Sequence, residues 1–164
     1  PHLEAAAQAD PGWVLRDFHS PKLMSLPERA GIGNVGLLDF QDALYGPLAY
    51  DLVSMLQDAR LDVPEALERA ELERYCSART ARGGTFSSDD FRTLYATLGA
   101  QRNSKILGIF ARLAKRDGKR AYLGHMPRVA RYLERNLAHP ALADLRAFYA
   151  RAFPCAEDLP PKLL

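Results

Sequence analysis

The patterning of the chain changes once, near residue 47, and that change limits the architectures open to it. Residues 11–46 are dense in Gly, Pro and Asp, with apolar residues only in short runs. Residues 47–153 carry apolar residues at the three- and four-residue spacing of helices, with proline and glycine mostly falling between those stretches. A chain so divided predicts a mainly α protein with a small β-hairpin region laid on a bundle of five or six helices.

In the first part Trp13-Val14-Leu15-Arg16 reads as a strand and Phe18 to Pro21 as a loop. Leu23 to Leu26 is a second strand and Val35 to Leu38 a third, ending at Asp39. The Gly-containing turn Pro27 to Asn34 joins them as a hairpin. In the second part Pro47 suits the first turn of a helix running to about Asp58. Pro64 opens another, to about Ala81, which Gly83-Gly84 ends. Ser87 or Ser88 caps a long helix, with Asp89 and Asp90 in its first turn where the helix dipole favours negative charge. Apolar spacing carries that helix to Asp117-Gly118. Pro127 to Leu137 and Ala141 to Phe153 complete the set. Glu65, Glu68, Arg69, Glu71, Glu73 and Arg74 read as one exposed face with local ion pairs.

Composition narrows the function classes. At 164 residues the chain fits one domain and can bury about 70% of its unfolded surface. The 22 basic and 20 acidic residues nearly cancel, which argues against nucleic acid as a partner. No apolar run approaches the roughly 20 residues that span a bilayer, so no membrane partner is expected. Pro1 to Asp10 lack the pattern of a secretory signal, and a cytoplasmic location is the expectation. Cys76 and Cys155 have no CxxC spacing and suggest neither a disulfide framework nor a zinc site. The chain begins with proline and with what reads as the tail of a helix, Leu3 to Gln8, which fits a fragment of a longer protein.

Chemistry concentrates in two stretches, Leu15-Arg16-Asp17-Phe18-His19-Ser20-Pro21-Lys22-Leu23 and Leu37-Leu38-Asp39-Phe40-Gln41-Asp42. Each places an aspartate where a strand gives way to a loop. Phosphoryl transfer uses such a pair: one carboxylate orients the attacking hydroxyl or takes its proton, another holds the metal on the nucleotide phosphates. His19 either approaches the transferred phosphate or orders its loop by hydrogen bonding. Asp42 either joins the shell around a metal or substrate, or caps the turn before Pro47. Tyr45 and Tyr50 read as packing residues or as platforms for a sugar ring. The basic run Lys115 to Arg120 reads as a solvated turn or a contact to an anionic substrate.

These motifs, with Gly46-Pro47-Leu48-Ala49-Tyr50-Asp51-Leu52, resemble the aminoglycoside phosphotransferase-like kinases, relatives of the protein kinases. Leu56 to Arg60, Gln101-Arg102-Asn103, Lys105 to Phe110 and Arg131 to Leu137 are similar to the bacterial cell-wall sugar kinases, which act on N-acetylmuramate and N-acetylglucosamine in peptidoglycan recycling. The resemblance implies the carboxy-terminal lobe of a protein-kinase-like fold. Residues 1–46 would form the catalytic-loop and metal-loop β region, and residues 47–164 the helical substrate-binding subdomain. It implies Asp17 as the catalytic aspartate and Asp39 as the magnesium ligand of a DFG-like motif, with Gln41 in place of the glycine. His19 and Asp51 would support the catalytic loop, Asp51 through bonds to loop backbone. The implied ligands are Mg²⁺, ATP or GTP, and an amino sugar.

Two departures stand out. Five residues after the catalytic aspartate this family carries a metal-binding asparagine, and here the position is Lys22. A charged lysine has three donors and no lone pair to give a cation. It either abolishes metal binding or lets its ammonium stand in for one magnesium charge against phosphate. Secondly, no Gly-rich phosphate loop occurs, since Gly31-Ile32-Gly33 lies in the hairpin turn. The amino-terminal nucleotide lobe is therefore absent from this chain, and the isolated chain is expected to be inactive.

Overall fold

A computed structural model describes Glu4 and residues 11–153. Apart from Glu4, the expected helix tail at Leu3 to Gln8 lies outside the described residues, as do Cys155 and the rest of the chain beyond residue 153.

Two small antiparallel sheets precede the helices. Strands β2 (Leu23–Ser25) and β3 (Val35–Leu37) form the expected hairpin, with Leu23 opposite Leu37 and Ser25 opposite Val35. Strand β1 (Pro11–Val14) pairs with β4 (Leu44–Pro47), Pro11 opposite Pro47 and Val14 opposite Leu44. The sequence reading missed β4. It took Pro47 for the first turn of a helix, whereas Pro47 ends a two-stranded ladder, a position where its missing N–H costs nothing. The helical stretch therefore begins at Ala49, and Pro47 belongs to the sheet rather than to the helical part.

Five α-helices follow among the described residues: α1 (Ala49–Leu56), α2 (Glu65–Ala81), α3 (Ser88–Asp117), α4 (Met126–Leu137) and α5 (Ala143–Ala152). Helix α3 is the spine. Its 30 residues span about 45 Å at 1.5 Å per residue. The Ser87 hydroxyl accepts the Asp90 N–H at 3.2 Å, and Gly118, at φ 68°, closes the other end in the left-handed conformation that suits glycine. No helix among the described residues is long and apolar enough to cross a membrane.

Packing follows the predicted periodicities. Ala49, Val53 and Leu56 of α1 meet Phe91, Leu94, Tyr95 and Leu98 of α3 and Cys76 of α2. Leu133 and Leu137 of α4 pack against Ala96 and Ala100. Phe110, Val129 and Ala59 form a third cluster further along α3. At about 2 kcal/mol for each large apolar side chain buried, this core is what holds the helices in place.

A polar network runs through the same layer. The Gln57 amide donates to Glu68 at 2.6 Å and to the Asn136 carbonyl oxygen at 3.1 Å. Its own oxygen accepts from Asn103 at 2.6 Å and from Asn136 at 2.8 Å. Tyr95 donates to Glu68 at 2.9 Å, and Arg135 pairs with the same carboxylate at 2.8 Å. Glu68, expected on an exposed face, is buried. A buried carboxylate needs such partners, and here α1, α3 and α4 supply them. His139 is half-buried, and its Nδ1 accepts the Ala141 N–H at 3.3 Å at the turn before α5.

Candidate active site

Strand β1 delivers the chain to Leu15, where the backbone turns sharply. Arg16 sits at φ 69°, and the Asp17 N–H donates back to the Leu15 carbonyl at 2.8 Å. A left-handed conformation costs an L-residue roughly 1–2 kcal/mol, so something must hold it. Asp51, in the first turn of α1, does so. Its carboxylate accepts the Leu15 N–H at 2.6 Å and the Arg16 N–H at 3.0 Å. Burial raises the Asp51 pKa, and the two backbone bonds oppose that rise without cancelling it. Asp17 is thereby presented at an exposed bend, and its side chain makes no hydrogen bond among the described residues.

A second carboxylate fixes the next residues. Asp58 is buried just past the end of α1. It accepts the Ser20 hydroxyl at 2.8 Å and the Ser20 N–H at 3.2 Å through Oδ2, and the Arg60 N–H at 2.8 Å through Oδ1. Burial alone would raise its pKa, but the bonds from Arg60 and Ser20, with the neighbouring His19, outweigh burial and lower it. His19 is buried, and its Nδ1 has no hydrogen-bond partner among the described residues. Burial and then the Arg60 guanidinium hold its pKa below the usual imidazole value, against the pull of Asp58 and Asp17. Beneath the loop lies Arg102 of α3, also buried. It donates to the Ser54 hydroxyl at 2.9 Å, while Nη1 is unpartnered. Burial lowers its pKa, and Tyr50, Asp58 and Asp17 act in the opposite sense.

Asp58 and Arg102 were quoted in the sequence motifs without a role. A signal for Arg102 was present. It falls four residues after Leu98 and eight after Leu94, so it is a cation on an apolar helix face.

The hairpin register brings the other half of the constellation together. Leu23 faces Leu37, and the Leu38 N–H donates to the Lys22 carbonyl at 2.9 Å. Position 22 is therefore locked beside the residue that precedes Asp39. Asp39 itself takes φ 62°. Its Oδ2 pairs with the Lys22 ammonium, and its Oδ1 accepts the Gln41 side-chain amide at 2.6 Å. Both oxygens of the expected metal ligand are thus engaged by donors of this chain. Among the described residues no group of three or more His, Cys, Asp or Glu side chains is gathered in one place. The donor set around Asp39 does not fit a divalent ion. Asp42 is exposed and makes no hydrogen bond among the described residues. Tyr45 is exposed and meets Trp13 edge-on, with centroids 6.5 Å apart.

A strained, carboxylate-braced aspartate loop beside a hairpin-borne aspartate, all carried on a helical layer, is the arrangement of a kinase-like lobe. Residues 1–85 match the family model described as the phosphotransferase enzyme family, and the chain belongs to that family. Among curated proteins it is 46% identical over 139 residues to the N-acetylmuramate/N-acetylglucosamine kinase of Caulobacter vibrioides, covering 85% of this chain and 37% of that protein. It is 43% identical over 136 residues to the protein of the same name from Pseudomonas aeruginosa, covering 81% and 39%. The corresponding protein of Neisseria meningitidis is 41% identical over 140 residues, covering 84% and 40%. The chain thus spans about two-fifths of the length of the curated relatives it matches.

Proposed function

We propose that this chain is the acceptor-side lobe of a small-molecule kinase. The parent protein transfers the γ-phosphate of ATP or GTP to a hydroxyl of an amino sugar. Asp17 orients the acceptor hydroxyl and takes its proton as the new O–P bond forms. Asp51, His19 and Asp58 hold the loop that presents it. The helices after Ser87 shape the acceptor pocket, and a nucleotide lobe outside these residues supplies the phosphate grip. Such an enzyme would work in the cytoplasm on sugars released during peptidoglycan recycling.

The observation that carries this reading is the Asp51 brace on the left-handed turn before Asp17. Strain held by a half-buried carboxylate next to an exposed one suits a site that positions a reacting group. The names of the relatives support the choice of N-acetylmuramate and N-acetylglucosamine as first acceptors. The test is mass spectrometry of sugar phosphate after incubating the full-length parent with each sugar and ATP or GTP. Product that disappears in Asp17→Asn is expected. Absence of product with every acceptor and donor would sink the assignment.

The pairing of Lys22 with Asp39 favours a second reading, in which the lobe binds sugar but transfers phosphate poorly or not at all. Kinases of this class generally take their nucleotide with a divalent metal, and the Asp39 carboxylate here is given no such role. Lys22→Asn in the full-length parent discriminates. A large rise in turnover supports impairment by the lysine, and an unchanged rate argues that the lysine is tolerated.

A further inference from the structure

We infer that the Lys22 ammonium is the resident cation of the Asp39 carboxylate and closes that carboxylate to divalent metal ions. The inference takes from the proposed kinase reading only that Asp39 stands at a metal position.

Three features of the backbone make the pair a built arrangement rather than a chance surface contact. Lys22 ends a single turn of 3-10 helix, Ser20–Lys22, and its N–H donates to the His19 carbonyl at 2.8 Å. Its carbonyl accepts the Leu38 N–H, so residue 22 cannot slide relative to residue 38. Asp39 then turns through a left-handed φ, and its side chain meets the ammonium. Both side chains are about one-third exposed, at 29% and 38%. A freely rotating surface pair loses most of its attraction to side-chain entropy and solvent, but this one has its backbone ends already fixed.

The chemistry excludes a metal more firmly than the loss of one ligand would. A divalent ion at Asp39 needs oxygen donors with free lone pairs. Here each carboxylate oxygen already carries one donor, the Lys22 ammonium on Oδ2 and the Gln41 amide on Oδ1, so a metal must compete with both for the remaining lone pairs. An incoming dication would have to displace the ammonium and then stand beside its positive charge. Substituting Asn at position 22 removes the charge and restores a carbonyl oxygen, so both obstacles vanish together.

The experiment titrates Mn²⁺ alone into the full-length protein and follows free Mn²⁺ by electron paramagnetic resonance. Wild type and Asp39→Asn should give the same isotherm, because Asp39 contributes nothing to metal binding while Lys22 holds it. Lys22→Asn should bind Mn²⁺ about tenfold more tightly or better, as expected for relieving a like-charge contact at a half-exposed site. That gain should vanish in Lys22→Asn/Asp39→Asn. Lys22→Met, which removes the charge without adding a ligand, should fall between. Circular dichroism checks that each variant is folded. Wild-type Mn²⁺ binding that Asp39→Asn abolishes would overturn the inference, as would Lys22→Asn binding no more tightly than wild type. No turnover is needed for either readout, so the result stands apart from the fate of the sugar-kinase reading.

Discussion

Asp51→Asn tests the link between the α1 helix and the Asp17 loop. The Asp51 carboxylate accepts two backbone N–H groups, from Leu15 at 2.6 Å and Arg16 at 3.0 Å. A hydrogen bond to a charged acceptor contributes about 1.5–3 kcal/mol. Asparagine keeps one acceptor oxygen but turns an amide NH₂ toward the second N–H, so one bond is lost and a donor faces a donor. The expected loss of stability is about 2–3 kcal/mol. Asp51→Ala removes both bonds. The Leu15 N–H is then partly buried without a partner while the more exposed Arg16 N–H turns to water, so the loss is about 3–4 kcal/mol rather than twice the first value.

Urea unfolding measures this directly. With a slope of about 2 kcal/mol/M, Asp51→Asn should lower the midpoint by roughly 1–1.5 M. A second variant separates the brace from general damage. Arg16→Gly relieves the left-handed strain at φ 69°, so in the Asp51→Asn background it should recover about 1 kcal/mol. An Asp51→Asn midpoint within about 0.2 M of wild type, a change below roughly 0.5 kcal/mol, would refute the idea that this carboxylate holds the turn.

Three further outcomes are expected. His19 has a pKa below its ordinary 6.5, so the unfolded chain binds more protons there than the folded one. The stability it contributes is complete above 6.5 and is lost as pH falls from 6.5 through the lower folded value; thermal melts from pH 7.5 to 5 should show this fall, and His19→Gln should flatten it. Gly99→Ala would place a Cβ 2.5 Å from the Asn136 Oδ1, whose amide is already fixed by Gln57 and the Tyr132 carbonyl. Overpacking of about 1–3 kcal/mol should exceed the roughly 1 kcal/mol gained in helix propensity, lowering the melting temperature. Asp58→Ala leaves the Ser20 hydroxyl, the Ser20 N–H and the Arg60 N–H without their acceptor, and urea unfolding should show about 2–4 kcal/mol less stability.

The helices were legible because each carried its own punctuation. Ser87, Asp89 and Asp90 announce the start of α3, and Gly118 its end, and both lie where the local chemistry put them. The β2–β3 hairpin was legible for the same reason, as two short apolar runs around a Gly-containing turn. Strand β4 was not. Leu44-Tyr45-Gly46-Pro47 is stabilised by β1, more than 30 residues away in the chain, and no local pattern marks it. Proline at its end also mimics a helix start. Glu68 failed in the opposite direction. Its neighbours Glu65, Arg69 and Glu71 make a polar face, and its burial depends on Gln57, Tyr95 and Arg135 arriving from other elements. Asp17, Asp39 and Asp51 could be named from the order of motifs. What each side chain touches depends on hairpin register and helix packing, which the motifs do not encode. The Lys22 substitution was visible, but its pairing with Asp39 was not.

The two aspartate loops are built by one device and put to different ends. Each enters a left-handed residue, Arg16 in one and Asp39 in the other. In the first loop the strain is held from below by Asp51, and the exposed carboxylate of Asp17 makes no hydrogen bond among the described residues. In the second loop the strained residue is itself the carboxylate, and the lysine beside it takes the charge. The fold therefore keeps the Asp17 half of the site available to a ligand while satisfying the Asp39 half internally. The hairpin already aligns residues 22 and 39, so the Lys22→Asn variant proposed above acts on a prepared geometry in which the Gln41 amide stays on Asp39. Asp51 and Asp58 lie in or just after α1, whose Ala49, Val53 and Leu56 are packed in the core, so the Asp17 turn is tied to that packing. The charge at Asp39 thus rests on one neighbouring side chain, whereas the Asp17 turn rests on Asp51 in a helix packed into the core.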